Sequence, residues 1–224
     1  MGVPIRRKGE RDIEYASGIG VLDIMAKPRS SGLSTSALVE STAVRLFSEL
    51  GYEASSMRRI AAAVSIQPAG LYNYCRSKEE LLWSIVLKAL NTIQRGQDVA
   101  FASSDLTDAK FGAFVRMHMR FHAESSETAR VVNNNLSSLS REHYRIATTC
   151  RDRYERGLRD LLELGQKQEL FDFSNAKITS YAILQMGMGI SSWYRRDGDF
   201  SLDAVVDLYE ELAMRLVGCR KDSM

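Results

Sequence analysis

Beyond residue 33 the chain carries one proline, Pro68, and its apolar residues recur every three or four positions, with no convincing run of period-two alternation. That pattern leaves little besides helices packed on helices, since every apolar stripe has to be buried against another element. The expected fold class is therefore all-α, with about nine helices. With 224 residues, 45% of them hydrophobic, and a formal charge of +2, the chain can bury a sizeable core and lacks the high net charge of a disordered one. It has no stretch of about eighteen uninterrupted apolar residues, which argues against a membrane partner. Cys75, Cys150 and Cys219 are spaced too widely for a disulfide framework or a zinc ribbon and fit a reducing, cytoplasmic setting. Arg6-Arg7-Lys8 is followed by Arg11, Asp12 and Glu14, where a signal peptide would need an apolar segment.

Three regions are expected. Residues 1–33 hold five of the fifteen glycines and two of the three prolines and read as a flexible arm, although Ile19, Val21, Leu22, Ile24 and Met25 can form one short helix. Residues 34–80 read as a bundle of three helices, and 81–224 as a larger helical domain. Val39, Ala43, Leu46, Phe47 and Leu50 share one face of a first helix that Gly51 can close. Ser55 is placed to cap a second, with Met57, Ile60, Ala61 and Val64 on its buried side. Pro68 suits the first turn of a third, which Cys75-Arg76-Ser77 keeps short. Ser77 and Glu80 have the spacing of a capping box at the start of a long fourth helix. Further helices are expected over 108–124, 126–137, 141–165, 175–194 and 202–217, with Ser174 and Ser201 as N-caps and Gly165 and Gly218 as stops.

Two short helices joined by a tight turn form a helix-turn-helix, whose second member, here about Gln67 to Tyr74, can stand out from the core and enter a DNA major groove. Groove-facing residues should be small or polar. Ala69 and Gly70 permit close approach, Tyr72, Asn73 and Tyr74 offer hydrogen-bonding tips, Gln67 and Pro68 complete the DNA-facing set, and Leu71 turns back to Ile60 and Ile66. Arg58, Arg59, Arg76 and Lys78 flank that helix, and no acidic residue falls between Arg58 and Lys78. Their expected work is phosphate contact, which positions a domain without reading sequence. The arm adds six basic residues against four acidic ones and can reach a neighbouring minor groove.

The run Gly51-Tyr52-Glu53-Ala54-Ser55-Ser56-Met57-Arg58-Arg59-Ile60-Ala61, followed by Leu71-Tyr72-Asn73-Tyr74 and Ser77-Lys78-Glu79-Glu80-Leu81-Leu82, closely resembles the N-terminal domain of the TetR family of transcriptional regulators. The resemblance implies a homodimeric, all-helical repressor whose C-terminal domain binds a small molecule and thereby releases double-stranded operator DNA. Tyr72 and Lys78 match the family's usual phosphate-contacting positions, and residues 67 to 74 its recognition helix. Departures are Ser65 where the turn usually has glycine, Gln67 where Ser or Thr usually caps, and Tyr74-Cys75 where His-Phe is common. A left-handed Ser65 costs roughly 1 kcal/mol relative to glycine.

For a ligand chamber the richest segment is Phe111, Phe114, Val115, Met117, His118, Phe121 and His122, which by the same resemblance corresponds in order to a cavity-lining helix. Cys150, Tyr154, Tyr181 and Met186 are further candidates, and an apolar chamber with a few polar tips suits a hydrophobic effector. His118 and His122 share a face, but no third ligand is evident, so neither a metal nor any other cofactor is expected. Asn133-Asn134-Asn135 reads as solvated surface or as amides facing a pocket, and Asp152 with Arg156 and Glu155 with Arg159 read as pairs on a wet helix face. Ala182, Met186, Gly189, Ile190 and Trp193, with Leu208, Leu212 and Leu216, can pack against the same helices of a second chain, Gly187 and Gly189 allowing close approach. The alternative is that both helices complete a monomer's core.

Trp193-Tyr194-Arg195-Arg196-Asp197-Gly198, with Leu139-Ser140-Arg141-Glu142 and Arg151-Asp152-Arg153-Tyr154-Glu155, looks like TetR regulators of fatty-acid and steroid catabolism, whose inducers are often acyl-CoA thioesters. That likeness implies Arg151, Arg195 or Arg196 as phosphate-binding cations and Trp193 as a stacking platform, unless Trp193 and Tyr194 anchor the dimer. Two competing readings are a helical adaptor without operator binding and a small-molecule enzyme. Against the enzyme, the chain has no Gly-rich phosphate loop, HExxH or GxSxG motif.

Overall fold

The computed structural model describes residues 34–219. The expected arm and its minor-groove reach lie outside the described residues. The helices are α1 (Thr35–Leu50), α2 (Met57–Ala63), α3 (Pro68–Leu71), α4 (Lys78–Ala102), α5 (Thr107–Glu124), α6 (Ser126–Asn134), α7 (Arg141–Lys167), α8 (Ala176–Trp193) and α9 (Leu202–Leu216), with a single 3-10 turn at Leu136–Ser138 between α6 and α7. Among the described residues there is no strand. The fold is all-α, with a helix-turn-helix bundle at its N-terminal end.

The ends of the helices follow local chemistry. Ser34, Ser77, Ser140, Asn175 and Ser201 each accept a backbone N–H from the first turn that follows. α2 is capped by Ser56, one residue later than expected, because Ser55 is buried and donates its hydroxyl to the Leu46 and Gly51 carbonyls. Only half of the expected capping box forms. Ser77 Oγ accepts from the Glu80 N–H, while the Glu80 carboxylate accepts from Arg76 N–H at 3.0 Å instead of from Ser77. At α8 the cap is Asn175 and not Ser174. Gly165 does not stop α7, which runs on to Lys167 and leaves through a left-handed Glu169 (φ 60°). The ring of Phe171 packs where a Gly165 Cβ would stand, so this glycine serves close approach.

Two apolar cores result. One joins α1 to α4 through Val39, Phe47, Ile60, Leu71 and Leu82, and extends into the body through Val131, Val132 and Ala147. The other surrounds α5, whose Phe111, Phe114 and Val115 are fully enclosed by α4, α7, α8 and α9. A division at residue 80 falls inside α4, whose residues as far as Leu90 belong to the first core. α4 is therefore one rigid rod shared by head and body. α6 is shared as well, since it packs on α1, α4 and α8. Arg130 of α6 donates to Ser48 Oγ in α1 at 3.1 Å and to the Ser191 carbonyl in α8 at 2.6 Å.

Candidate nucleic-acid interface and ligand cavity

In the head, Ile60, Ala61 and Leu71 are fully buried and pin α3 to α2. The turn between them closes with Ser65 N–H on the Ala62 carbonyl and Ile66 N–H on the Ala61 carbonyl, and Ser65 takes the left-handed conformation at φ 58°. The third helix proper is a single turn, after which residues 72 to 74 continue as a turn. Gln67, Pro68, Ala69, Tyr72, Asn73 and Tyr74 are all exposed on one surface, and the space around the missing Gly70 Cβ is open. Arg58, Arg59 and Arg76 lie exposed around it. Lys78 is half-buried: its ammonium donates to the Tyr52 carbonyl at 2.9 Å and stands 4.0 Å from the Tyr52 ring centroid. Its charge is thereby fixed at the start of α4.

A link that the sequence did not announce ties this corner to the body. Glu79 accepts from Ser140 N–H and from His143 Nδ1, both at 2.8 Å, and the His143 ring stacks on Trp83 at 4.4 Å. Burial opposes ionisation of Glu79, but these hydrogen bonds outweigh it and hold the carboxyl below its ordinary range.

In the body, a cavity of about 240 Å³ opens between α4, α5, α6, α7 and α8. Of the candidates named from sequence, His118, Phe121, His122, Cys150, Arg151, Tyr154 and Tyr181 line it. Phe111, Phe114, Met117, Met186, Trp193 and Arg195 do not. Phe111 packs on Phe171, and Phe114 on Phe101: they share a face of α5 with His118 and His122 but stand nearer its N-terminus, where that face is closed by the second core. Met117 fills the space beside Gly96 of α4, and Met186 packs into the second core. Trp193 is half-exposed and stacks on Tyr209. Arg195 borders a separate surface depression with Arg130 and Arg196, at the junction of α5 and α6.

The cavity's polar groups are unequally satisfied. His118 donates from Nε2 to the Leu184 carbonyl at 3.1 Å, so its Nδ1 accepts from the Tyr154 hydroxyl at 2.9 Å. Burial lowers its pKa to about 4, and raises that of Tyr154 well above the phenol range. With both nitrogens engaged, His118 has no lone pair left for a metal. Among the described residues no cluster of three His, Cys, Asp or Glu side chains is placed to hold one. His122 is different, since its buried Nδ1 has no hydrogen-bond partner. Desolvation first, then His118 and Arg151, keep its ring neutral. Arg151 donates to Asn133 Oδ1 at 2.8 Å. Glu155, expected on a wet face, is buried, accepting from Ser180 Oγ at 2.6 Å with Arg159 at 3.6 Å. Asn133 faces the cavity and not bulk solvent.

The expected dimer residues divide. Leu208, Leu212 and Leu216 of α9 and Gly189 of α8 are exposed, alongside Ile178, Tyr181 and Trp193, and Ala182 is half-buried. Ile190 is fully buried in its own chain's core and cannot meet a second chain. Gly187 serves the interior too, because a Cβ there would overlap the His118 ring.

A basic head with an exposed reading surface, joined by one continuous helix to a ligand-sized cavity, defines a ligand-responsive DNA-binding regulator. Residues 41–85 match the family model for bacterial regulatory proteins of the tetR family, and residues 104–217 that for the tetracyclin repressor-like C-terminal domain. The chain belongs to the TetR family, whose members are transcriptional regulators that bind operator DNA and a small-molecule effector as homodimers. No curated protein sequence matches the chain. Among solved structures it resembles a tetR-family regulatory protein from Rhodococcus RHA1, with a TM-score of 0.78 and 26% identity over 84% of this chain and 100% of that one. PfmR from Thermus thermophilus gives 0.73 and 30% identity over 80% of this chain and 97% of that one. AibR, solved in complex with isovaleryl coenzyme A and operator DNA, shares the fold at 0.74, with 21% identity over 84% of this chain and 100% of that one. Among the described residues no helix is long and apolar enough to cross a membrane.

Proposed function

We propose that the chain acts in the cytoplasm as a repressor whose operator is released when a hydrophobic small molecule fills the cavity between α4 and α8. The observation that carries this reading is the double duty of α4 and α6. Ala89 and Leu90 of α4 and Val132 of α6 line the cavity and also belong to the core that supports the head. A ligand that reshapes one must therefore be felt by the other, provided it binds the released arrangement better than the DNA-bound one. Gln67 to Tyr74 read the groove, Arg58, Arg59, Tyr72 and Lys78 hold phosphates, and the exposed side of α8 and α9 forms the dimer. No catalytic step is needed for this role.

An electrophoretic shift on the DNA upstream of the protein's own coding region tests it. The wild-type dimer should bind one palindromic site more tightly than random duplex, and Tyr72→Ala with Lys78→Ala should lose that preference while remaining folded. Equal binding to both duplexes refutes the reading. A second reading, an acyl-CoA effector, is favoured by Arg195 and Arg196 at the surface depression, which offer cations to a nucleotide's phosphates beside the carboxylates of Glu124 and Glu127. Thermal-shift screening with acyl-CoAs against free acids separates the two.

A further inference from the structure

Two unsatisfied groups converge on the cavity. His122 is 5% exposed and makes no hydrogen bond to any described residue through either ring nitrogen. Arg151 reaches the same cavity from α7, and its guanidinium meets only neutral acceptors, Asn133 Oδ1 at 2.8 Å and the Val132 carbonyl at 3.5 Å. Among the described residues no carboxylate forms an ion pair with it. Glu155, one helical turn along, is committed to Ser180 and Arg159, and Asp152, at the cavity's rim, is exposed to solvent. A partly buried cation without an anion is an unstable arrangement, and an unpaired buried imidazole adds to it. The rest of the wall is mostly apolar, through Ile93, Phe121, Leu184 and Met188, beside the paired His118 and Tyr154 and the polar Gln185.

We infer that the effector is a small apolar carboxylic acid, bound as its anion with the carboxylate between the Arg151 guanidinium and the His122 ring. The inference rests on the reading of this cavity as the effector site and narrows its ligand class. A carboxylate supplies the full negative charge that Arg151 lacks and an acceptor for a neutral His122 N–H, in charge-assisted bonds. A thioester carbonyl can accept from His122 but leaves the guanidinium uncompensated. Size agrees. A cavity of about 150 Å³ holds a benzene ring, so about 240 Å³ takes a ring with a short chain, or a medium alkyl chain, and excludes a nucleotide. The ring of His122 is neutral before binding, because burial, His118 and Arg151 all disfavour its protonation.

The test is calorimetric titration of the full-length dimer with hexanoate, octanoate and phenylacetate, each beside its primary amide and its CoA thioester. At least one acid should bind about tenfold or more tighter than its amide, the range expected of a charge-assisted bond. Arg151→Gln should remove that advantage without changing amide affinity, Arg151→Lys should retain part of it, and His122→Leu should weaken the acid. Equal affinity of acid, amide and thioester overturns the inference, as does an acid unaffected by Arg151→Gln. Amides that bind and release operator while acids do not would sink the carboxylate and spare the effector site. An acid that binds through Arg151 yet leaves operator affinity unchanged would sink the effector site and spare the carboxylate. No binding by any compound overturns both. Cooperative melting of the ligand-free variants, at or above the wild-type temperature, verifies that they fold.

Discussion

Acidification should loosen the body of the molecule through one imidazole. His118 is 2% exposed and is held between Tyr154 and the Leu184 carbonyl, with Nδ1 serving as an acceptor. A proton on Nδ1 would displace the tyrosine's O–H and bring charge into an apolar core. Burial therefore lowers the folded-state pKa from 6.5 to about 4, against the opposing pull of the Leu184 carbonyl. Between those two values the unfolded chain binds the proton and the folded chain does not. Stability is thus complete above 6.5 and is lost as the pH falls towards about 4. At about 1.36 kcal/mol per pH unit, the interval from the ordinary value down to about pH 5 removes about 2 kcal/mol. In a chain of this size that corresponds to a fall of about 4–8 °C in Tm. His122, whose pKa is also lowered by burial, adds a loss of the same sign. Calorimetry on wild type and on His118→Leu with Tyr154→Phe, at about pH 7 and about pH 5, isolates the His118 share. The double variant should lose about 2 kcal/mol of the pH dependence. An identical drop in both proteins would refute the reasoning.

Other consequences concern single contacts. Gly187→Ala places a methyl group into a His118 ring that hydrogen bonds hold on both sides, and should cost about 1–3 kcal/mol in urea unfolding; unchanged stability would mean that the ring can yield. Leu212, 49% exposed on α9, changed to Glu should turn the dimer into a folded monomer in sedimentation, and a persistent dimer would move the interface elsewhere. Arg58→Ala and Arg59→Ala, each removing one phosphate contact from both heads of the dimer, should each lower the slope of log affinity against log salt by about 2 on any duplex, and an unaltered slope would remove that arginine from the phosphate contacts.

The head was legible in the sequence because its information is local. A lone proline, a serine–glutamate spacing and apolar residues on one face of each helix place α1 to α4 in order, and the departures are local: the cap moves from Ser55 to Ser56, α3 closes after one turn at Leu71 instead of reaching Tyr74, and only half of the Ser77–Glu80 box forms. The body was legible in its helices but only in part in its site. Phe111, Phe114, His118, Phe121 and His122 form one stripe of α5, so spacing could not separate the first two, which serve the core, from the other three, which reach the cavity further along the helix. α8 poses the same difficulty. Gly189 and Ile190 are neighbours in a mostly apolar helix, and only packing reveals that one faces out and the other in. Glu155 was misread, and Asn133 left undecided between surface and pocket, for a different reason. Their partners, Ser180 and Arg151, come from other helices, and a pairing across helices leaves no local periodic signal. The doubled His spacing on α5 was visible, but the unequal satisfaction of the two rings was not.

The central claim is that filling the cavity changes the grip of the head on DNA. Its most direct test is an anisotropy titration of the dimer on its own operator, with and without a compound that raises the Tm of wild type but not of Ala129→Phe, in which the cavity is filled. The account predicts at least about tenfold weaker operator binding with the compound in wild type, the size of a typical coupling between two sites, and no change in Ala129→Phe. Operator affinity that is the same with the cavity occupied or empty would contradict it.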